Sequence, residues 1–390
     1  MKNRSDLIAA TAQAHVDSGA FASIEWNVHR DGAEWQRGAV GMADPLNGVE
    51  LPEDPIYRIY SMTKPVVSAI AMMLIEEGRL HLATPVSAYV KGFGGVEVLE
   101  KGQPPRRART AMTVAHLMTH TSGISYGFLP DCPVAKLYRE AGVRRSGKTL
   151  AEMVEAISTF PVAFEPGTQW RYSEATDVLA RIIEIIEDKP LNQVMRERVT
   201  SPLGLADTGY MVREEARHCL MPMFGNANID QLMRVAPGPQ QLTPADVSDG
   251  YPADDPNFGR GGYGLFSTAR EYMVVAKFLG SGLTPSGEPL LSRKAVELMW
   301  RNRVPDAMRP LAIGLIQLPG YGFSLAGRVM VEPGVANVFS SPGECGWSGA
   351  ASTYLIIDPK EKLHAVFMAQ YLGSKIRLAE VMQNAVYQAL

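Results

Sequence analysis

Ser61-Met62-Thr63-Lys64 is the only S-x-x-K in the chain. Residues three apart share one face of a helix. That spacing sets the Ser61 hydroxyl beside the Lys64 amine at a helix N-terminus. A serine hydroxyl is a poor nucleophile until a base takes its proton. Burial disfavours the charged form of a lysine, so a lysine in an apolar setting can be that base. The following residues, among them Val66, Val67, Ile70, Met72, Met73 and Leu74, are apolar almost all round a helix. Such a helix is normally buried, and its N-terminus favours a developing anion. The four-residue pattern is weak evidence alone, because a chain of this length holds about one by chance.

Three other patterns compete. Gly123-Ile124-Ser125-Tyr126-Gly127 has the G-x-S-x-G form of a hydrolase elbow. That elbow needs a strand, a sharp turn and a helix. Here the segment follows the helical pattern His116 to Thr121. Ser125 is therefore read as part of a loop lining a cleft, with Tyr126 and Phe128 as walls of an acyl pocket. His116 and His120 are spaced as zinc ligands on a helix would be, but no glutamate follows His116. They are read as capping and packing residues, and no metal is expected. Cys132, Cys219 and Cys345 are odd in number and widely spaced, with no C-x-x-C. They are read as free thiols in a reducing compartment.

The context of Ser61 is more specific. Tyr57-Arg-Ile-Tyr-Ser-Met-Thr-Lys-Pro65 resembles the active-site segment of serine β-lactamase-fold enzymes. Met112-Thr-Val-Ala-His-Leu-Met-Thr-His-Thr-Ser-Gly123, Pro166-Gly-Thr-Gln-Trp-Arg-Tyr-Ser173 and Gly264-Leu-Phe-Ser-Thr-Ala269 resemble further blocks of that superfamily, in its order and across most of the chain. The nearest group is the family VIII carboxylesterases, which share the fold of class C β-lactamases and D-Ala-D-Ala carboxypeptidases. The resemblance implies Tyr172, in Tyr172-Ser173-Glu174, as the tyrosine facing Ser61 and Lys64. A phenolate, or a phenol in relay with Lys64, can serve as base and then as acid. It implies Trp347-Ser348-Gly349 as the counterpart of the family's K-T-G strand, with Gly349 letting backbone approach substrate closely. It also implies the backbone N–H groups of Ser61 and Ala350 as the oxyanion hole, where one donor is commonly worth about 3–4 kcal/mol. The sequence departs from the family twice. Trp347 carries no charge where a cation helps hold a carboxylate. Glu174 stands where an asparagine binds a substrate amide, and would repel a carboxylate. Both departures favour neutral esters over lactams or peptides.

The elements that must position these groups are partly legible. Residues 3–18 read as an amphipathic helix. Residues 22–30 and 34–41 read as strands joined by Asp31-Gly32, a strong hairpin signal. The buried helix spans 61–77, with Pro65 in its first turn and Gly78 as its stop. Further helices are expected at 112–119, 149–158, 174–187 and 190–199. Residues 220–260 read as a long loop over a surface. Strands 351–357 and 363–370 flank a turn, and a helix over 374–390 follows. The fold class is α/β (α+β): an antiparallel sheet built from both ends of the chain, with a helical region inserted. The expected division is a discontinuous sheet domain, 1–60 and 262–390, and a mainly helical domain, 61–261, with the site between them.

Composition closes off other classes. The chain has 390 residues, 38 Lys plus Arg and 41 Asp plus Glu, for a net charge of −3. A nucleic-acid partner would need a basic face, and none is evident. The basic cluster Arg106, Arg107 and Arg109 reads as a solvated loop. No apolar run reaches the ~20 residues of a membrane span, and no secretory signal is seen. The expected location is the cytoplasm. The expected activity is hydrolysis of short-chain neutral carboxylic esters through an acyl-enzyme on Ser61, with a small-molecule ester as partner and no cofactor. Rival readings are β-lactamase or D-amino-acid peptidase activity at the same site, an acyltransferase, and a non-catalytic penicillin-binding-like sensor.

Overall fold

The computed structural model describes residues 6–130, 132–145, 147–228 and 238–390. The central sheet has eight strands, β1 (Ser23–Arg30), β2 (Ala33–Gly41), β3 (Tyr321–Phe323), β4 (Arg328–Met330), β5 (Cys345–Gly346), β6 (Ser348–Gly349), β7 (Thr353–Asp358) and β8 (Leu363–Met368). Their order is β3-β4-β5-β7-β8-β1-β2, with β6 also on β7, and every pairing is antiparallel. The sheet is thus built from both ends of the chain, as the sequence implies. Asp31 and Gly32 both take positive φ, 51° and 83°, so the β1–β2 turn is of the primed hairpin kind.

Ten helices surround it: α1 (Leu7–Asp17), α2 (Thr63–Glu76), α3 (Val114–Met118), α4 (Pro133–Glu140), α5 (Leu150–Ser158), α6 (Ala175–Glu187), α7 (Leu191–Met195), α8 (Ala269–Ser281), α9 (Arg293–Met299) and α10 (Leu378–Ala389), counted among the described residues. The sheet is covered on both faces. Ile24, Trp26, Val28, Ala365 and Phe367 pack with Ile8 of α1 and Met382 of α10. Their alternates Leu355, Ile357, Val366 and Met368 join the large core that holds α2 and α8. A strand buried on both faces needs apolar residues at successive positions, which explains the unbroken run Tyr354-Leu-Ile-Ile357.

The expected helix over 190–199 is split into α7 and a π-helical turn, Arg196–Thr200. α4, α8 and α9 have no counterpart in the sequence reading. The stretch read as a loop over 220–260 includes a short strand, Phe224–Gly225, paired with Tyr371–Leu372; residues 229–237 of it lie outside the described set, as do the first residues of the expected helix 3–18.

Candidate active site

Ser61 sits in a short 3-10 turn, Tyr60–Met62, that runs directly into α2. Tyr60 takes a left-handed φ of 45°, a costly conformation for a residue with a side chain. Neighbouring elements hold this turn. Tyr57–Arg58 pairs with Phe266–Ser267. The Thr353 hydroxyl of β7 donates to the Ile59 carbonyl at 3.3 Å, and Tyr272 of α8 donates to the Met62 carbonyl at 2.6 Å. Sheet and helices therefore fix Ser61 from two sides.

Lys64 is on the first turn of α2 and 2 % exposed. Its Nζ lies 3.3 Å from Ser61 Oγ, 2.8 Å from the Tyr126 hydroxyl and 2.6 Å from the Gly262 carbonyl. It also sits 4.8 Å from the centre of the Tyr172 ring. Tyr172 lies just upstream of α6, separated from it by Ser173 and the N-cap Glu174, and the Trp347 indole N–H donates to its hydroxyl at 3.2 Å. Burial pushes the Tyr126 hydroxyl well above its usual range, and the neighbouring Tyr172 and Glu174 push it the same way. Tyr126 therefore remains a phenol.

Ser61, Tyr126, Phe128, Tyr172, Trp347, Ser348, Gly349 and Ala350 all line one cavity of about 290 Å³. Tyr126 and Phe128 are stacked, with ring centres 4.7 Å apart. Lys64 lies behind this wall. Eight residues singled out from the sequence thus meet at one place, with the lysine beneath them. At Gly349, a Cβ would come within 2.3 Å of the Ile59 carbonyl and 2.2 Å of Thr353 Oγ1. The close approach at Gly349 is to the turn that carries Ser61, where the sequence reading expects substrate.

Glu174 is a correction. It is expected at the substrate but is fully buried at the N-terminus of α6 and absent from the cavity wall. Its nearest cation is Arg144, with Nε 3.6 Å away, and neither carboxyl oxygen has a hydrogen bond. Burial raises its pKa well above the usual carboxylate range, despite Arg144, and Asp177 reinforces the rise. Buried and off the cavity wall, Glu174 meets no substrate there, so that part of the argument against anionic substrates lapses.

The competing motifs resolve as packing. Ser125 is fully buried outside the cavity, its hydroxyl donating to the Tyr126 carbonyl. His116 completes a capping box with Thr113 at the start of α3. His120 lies past the end of that helix with φ 54°, so the two imidazoles do not share a helical face. Its Nδ1 is 3.0 Å from the Ser173 hydroxyl, and its ring packs on Tyr172 and Phe323. The three cysteines are free. Two site residues escaped the sequence reading, Gly262 and Arg144. Gly262 stands in a Gly-Gly-Tyr-Gly run, a signal of close backbone approach. Arg144, on the cavity wall, sits in a loop with no local signal.

This fold and this cluster define the class. The family model described as Beta-lactamase matches residues 8–387, and the chain belongs to that family. Among curated proteins it is 34 % identical to Protein Rv1367c of Mycobacterium tuberculosis, over 86 % of this chain and 84 % of that one. It is 28 % identical to Esterase EstB of Burkholderia gladioli, over 92 % and 89 %. Among solved structures it is similar to EstCE1, described as a hydrolase with promiscuous acyltransferase activity, with TM-score 0.83, 22 % identity and 99 % of each chain covered. The resemblance to family VIII esterases of the serine β-lactamase and penicillin-binding-protein superfamily, read from the sequence blocks, is borne out.

Proposed function

We propose that this protein is a serine carboxylesterase that hydrolyses short-chain carboxylic esters through an acyl-enzyme on Ser61. The observation that carries the reading is the Lys64 amine, 3.3 Å from Ser61 Oγ and held against the faces of Tyr126 and Tyr172 beside one cavity. In the reaction Ser61 Oγ attacks the ester carbonyl, and its proton passes to the Lys64–Tyr172 pair. The Ser61 and Ala350 backbone N–H groups receive the oxyanion. The pair returns the proton to the departing alcohol, and water then cleaves the acyl-enzyme by the same steps in reverse order. The relatives named as esterases support ester hydrolysis as the reaction class. The uncharged Trp347 supports ester groups that are neutral where they pass it.

The test is hydrolysis of p-nitrophenyl butyrate beside nitrocefin, with wild type, Ser61→Ala and Ser125→Ala. Ester cleavage should fall by several orders of magnitude in Ser61→Ala and persist in Ser125→Ala, with little nitrocefin turnover in any of them. The reverse serine pattern sinks the assignment, and strong nitrocefin turnover moves it to the lactamase or peptidase reading. Acyl transfer is a second reading, favoured by the description of EstCE1. It shares the acyl-enzyme, and a product that forms only when an acceptor alcohol is added identifies it.

A further inference from the structure

We infer that Arg144 makes a carboxylate-binding site in the wall of the catalytic cavity, so that preferred esters carry a free carboxylate besides the bond that is cut. The inference rests on the esterase reading and adds the substrate class to it.

Arg144 lies in the loop after α4 and lines the cavity with Tyr60, Tyr126 and Tyr263. Its guanidinium is 4.1 Å from the centre of the Tyr263 ring and 5.5 Å from that of Tyr126. The Tyr126 hydroxyl in turn touches Lys64 Nζ. One tyrosine ring therefore separates the guanidinium from the lysine beside Ser61. Aromatic faces fix the guanidinium plane, and the Tyr263 side chain takes one of its hydrogen bonds; a planar fork of this kind grips a carboxylate through two bonds.

From within the protein the charge meets one carboxyl, that of Glu174, and the Tyr263 side chain. The Arg144 side chain is 16 % exposed, so much of its hydration is lost, and a desolvated charge is costly unless paired. Glu174 is the only carboxyl within 4 Å among the described residues, and at 3.6 Å from Nε it stands beyond hydrogen-bond length. Burial raises the pKa of Glu174 against the pull of Arg144, which weakens its hold on the guanidinium. A guanidinium does not deprotonate in a protein, so Arg144 is cationic, and Glu174 is the group with which a substrate carboxylate would compete for it. The other cations of the wall are occupied. Arg328 donates to Glu344 at 2.7 Å, and Arg377 pairs with Glu380 at 2.6 Å. The cation missing at Trp347 is thus supplied from a different element, at a different point of the cavity.

Two matched pairs of esters test this at low ionic strength. In one pair the acid is in the acyl part: p-nitrophenyl butyrate against the p-nitrophenyl half-ester of glutarate. In the other it is in the alcohol part: methyl 4-(butyryloxy)benzoate against 4-(butyryloxy)benzoate. Wild type, Arg144→Met and Arg144→Lys are compared. In at least one pair the acid-to-neutral ratio of kcat/KM should fall about 10–100-fold in Arg144→Met, the worth of a hydrogen-bonded charge. The loss should appear in KM, and Arg144→Lys should recover part of it. A ratio unchanged within twofold in both pairs overturns the inference. If Arg144→Met does not fold, wild type alone decides. Glutarate should then inhibit butyrate-ester cleavage with a Ki at least tenfold below that of glutaramide, and equal Ki values overturn the inference. Ser61-dependent cleavage of the neutral esters without any acid preference sinks only the inference. No cleavage of any of the four sinks the esterase reading itself.

Discussion

Lys64 is the residue on which the proposed chemistry turns. It is buried, yet it meets three oxygens, those of Ser61, Tyr126 and Gly262. Each contact fixes the amine, and the tyrosine faces on either side leave it little freedom to turn away from Ser61. Lys64→Met keeps the length of the side chain and removes the base. It should lower kcat/KM for p-nitrophenyl butyrate by about 10²–10⁴-fold, the usual worth of general acid–base catalysis, with the far-ultraviolet circular dichroism unchanged. Turnover near the wild-type rate would remove Lys64 from the mechanism. Ser61, Lys64 and Tyr172 are legible in the sequence because local spacing and block order specify them. Glu174 was misread because the same block cannot reveal which way a side chain points at a helix start. Arg144 was not legible at all, since its place depends on rings that arrive from residues 126 and 263.

The elements divide along the same line. The β1–β2 hairpin, α2, α5 and α6 follow from turn chemistry and periodicity in single stretches of sequence. α8 did not, although Thr268-Ala-Arg-Glu271 has the form of a helix start. Its residues Tyr272, Val275, Ala276, Phe278 and Leu279 are buried between α2 and the sheet. A helix covered on more than one side loses the narrow apolar stripe that would announce it. Strands β3 to β6 have two or three residues each, too few to show a period. The start of α8 is nonetheless a tight device. The Thr268 hydroxyl accepts from the Glu271 N–H at 3.1 Å, and the Glu271 carboxylate accepts from the Ala206 N–H and the Thr208 hydroxyl. Thr268→Ala should cost about 1 kcal/mol, up to about 2 in a buried setting. Urea unfolding followed by fluorescence would read it, and an unshifted midpoint would mean the cap contributes nothing.

For the molecule as a whole, the sheet carries a pH dependence of its own. Glu25 of β1 is buried, and burial pushes its carboxyl up to about 7. The native state therefore holds a proton that the unfolded chain releases near the ordinary carboxylate value. This contribution to stability is fully present below about pH 4.5 and is lost as pH rises through about 7. His364, pulled down by burial to about 4, acts in the opposite direction over much of the same window, so the wild-type curve alone conceals both. Glu25→Gln isolates the first. Its stability relative to wild type should rise by about 2–3 kcal/mol between pH 4.5 and 8, read as the difference between two denaturation series. A constant difference would mean that Glu25 ionises alike in both states.

The pairing of β1 with β8 sets Glu25 opposite Met368, more than three hundred positions along the chain. On the ribosome the first hairpin therefore emerges long before its partner, with one edge open to any strand it meets. Trp347, Ala350 and the Thr353 hydroxyl that braces the Ser61 turn emerge late as well. Until they do, the cavity wall around Ser61 is incomplete. The proposed ester cleavage can switch on only when these strands arrive, and a chaperone has most to protect in the interval before then.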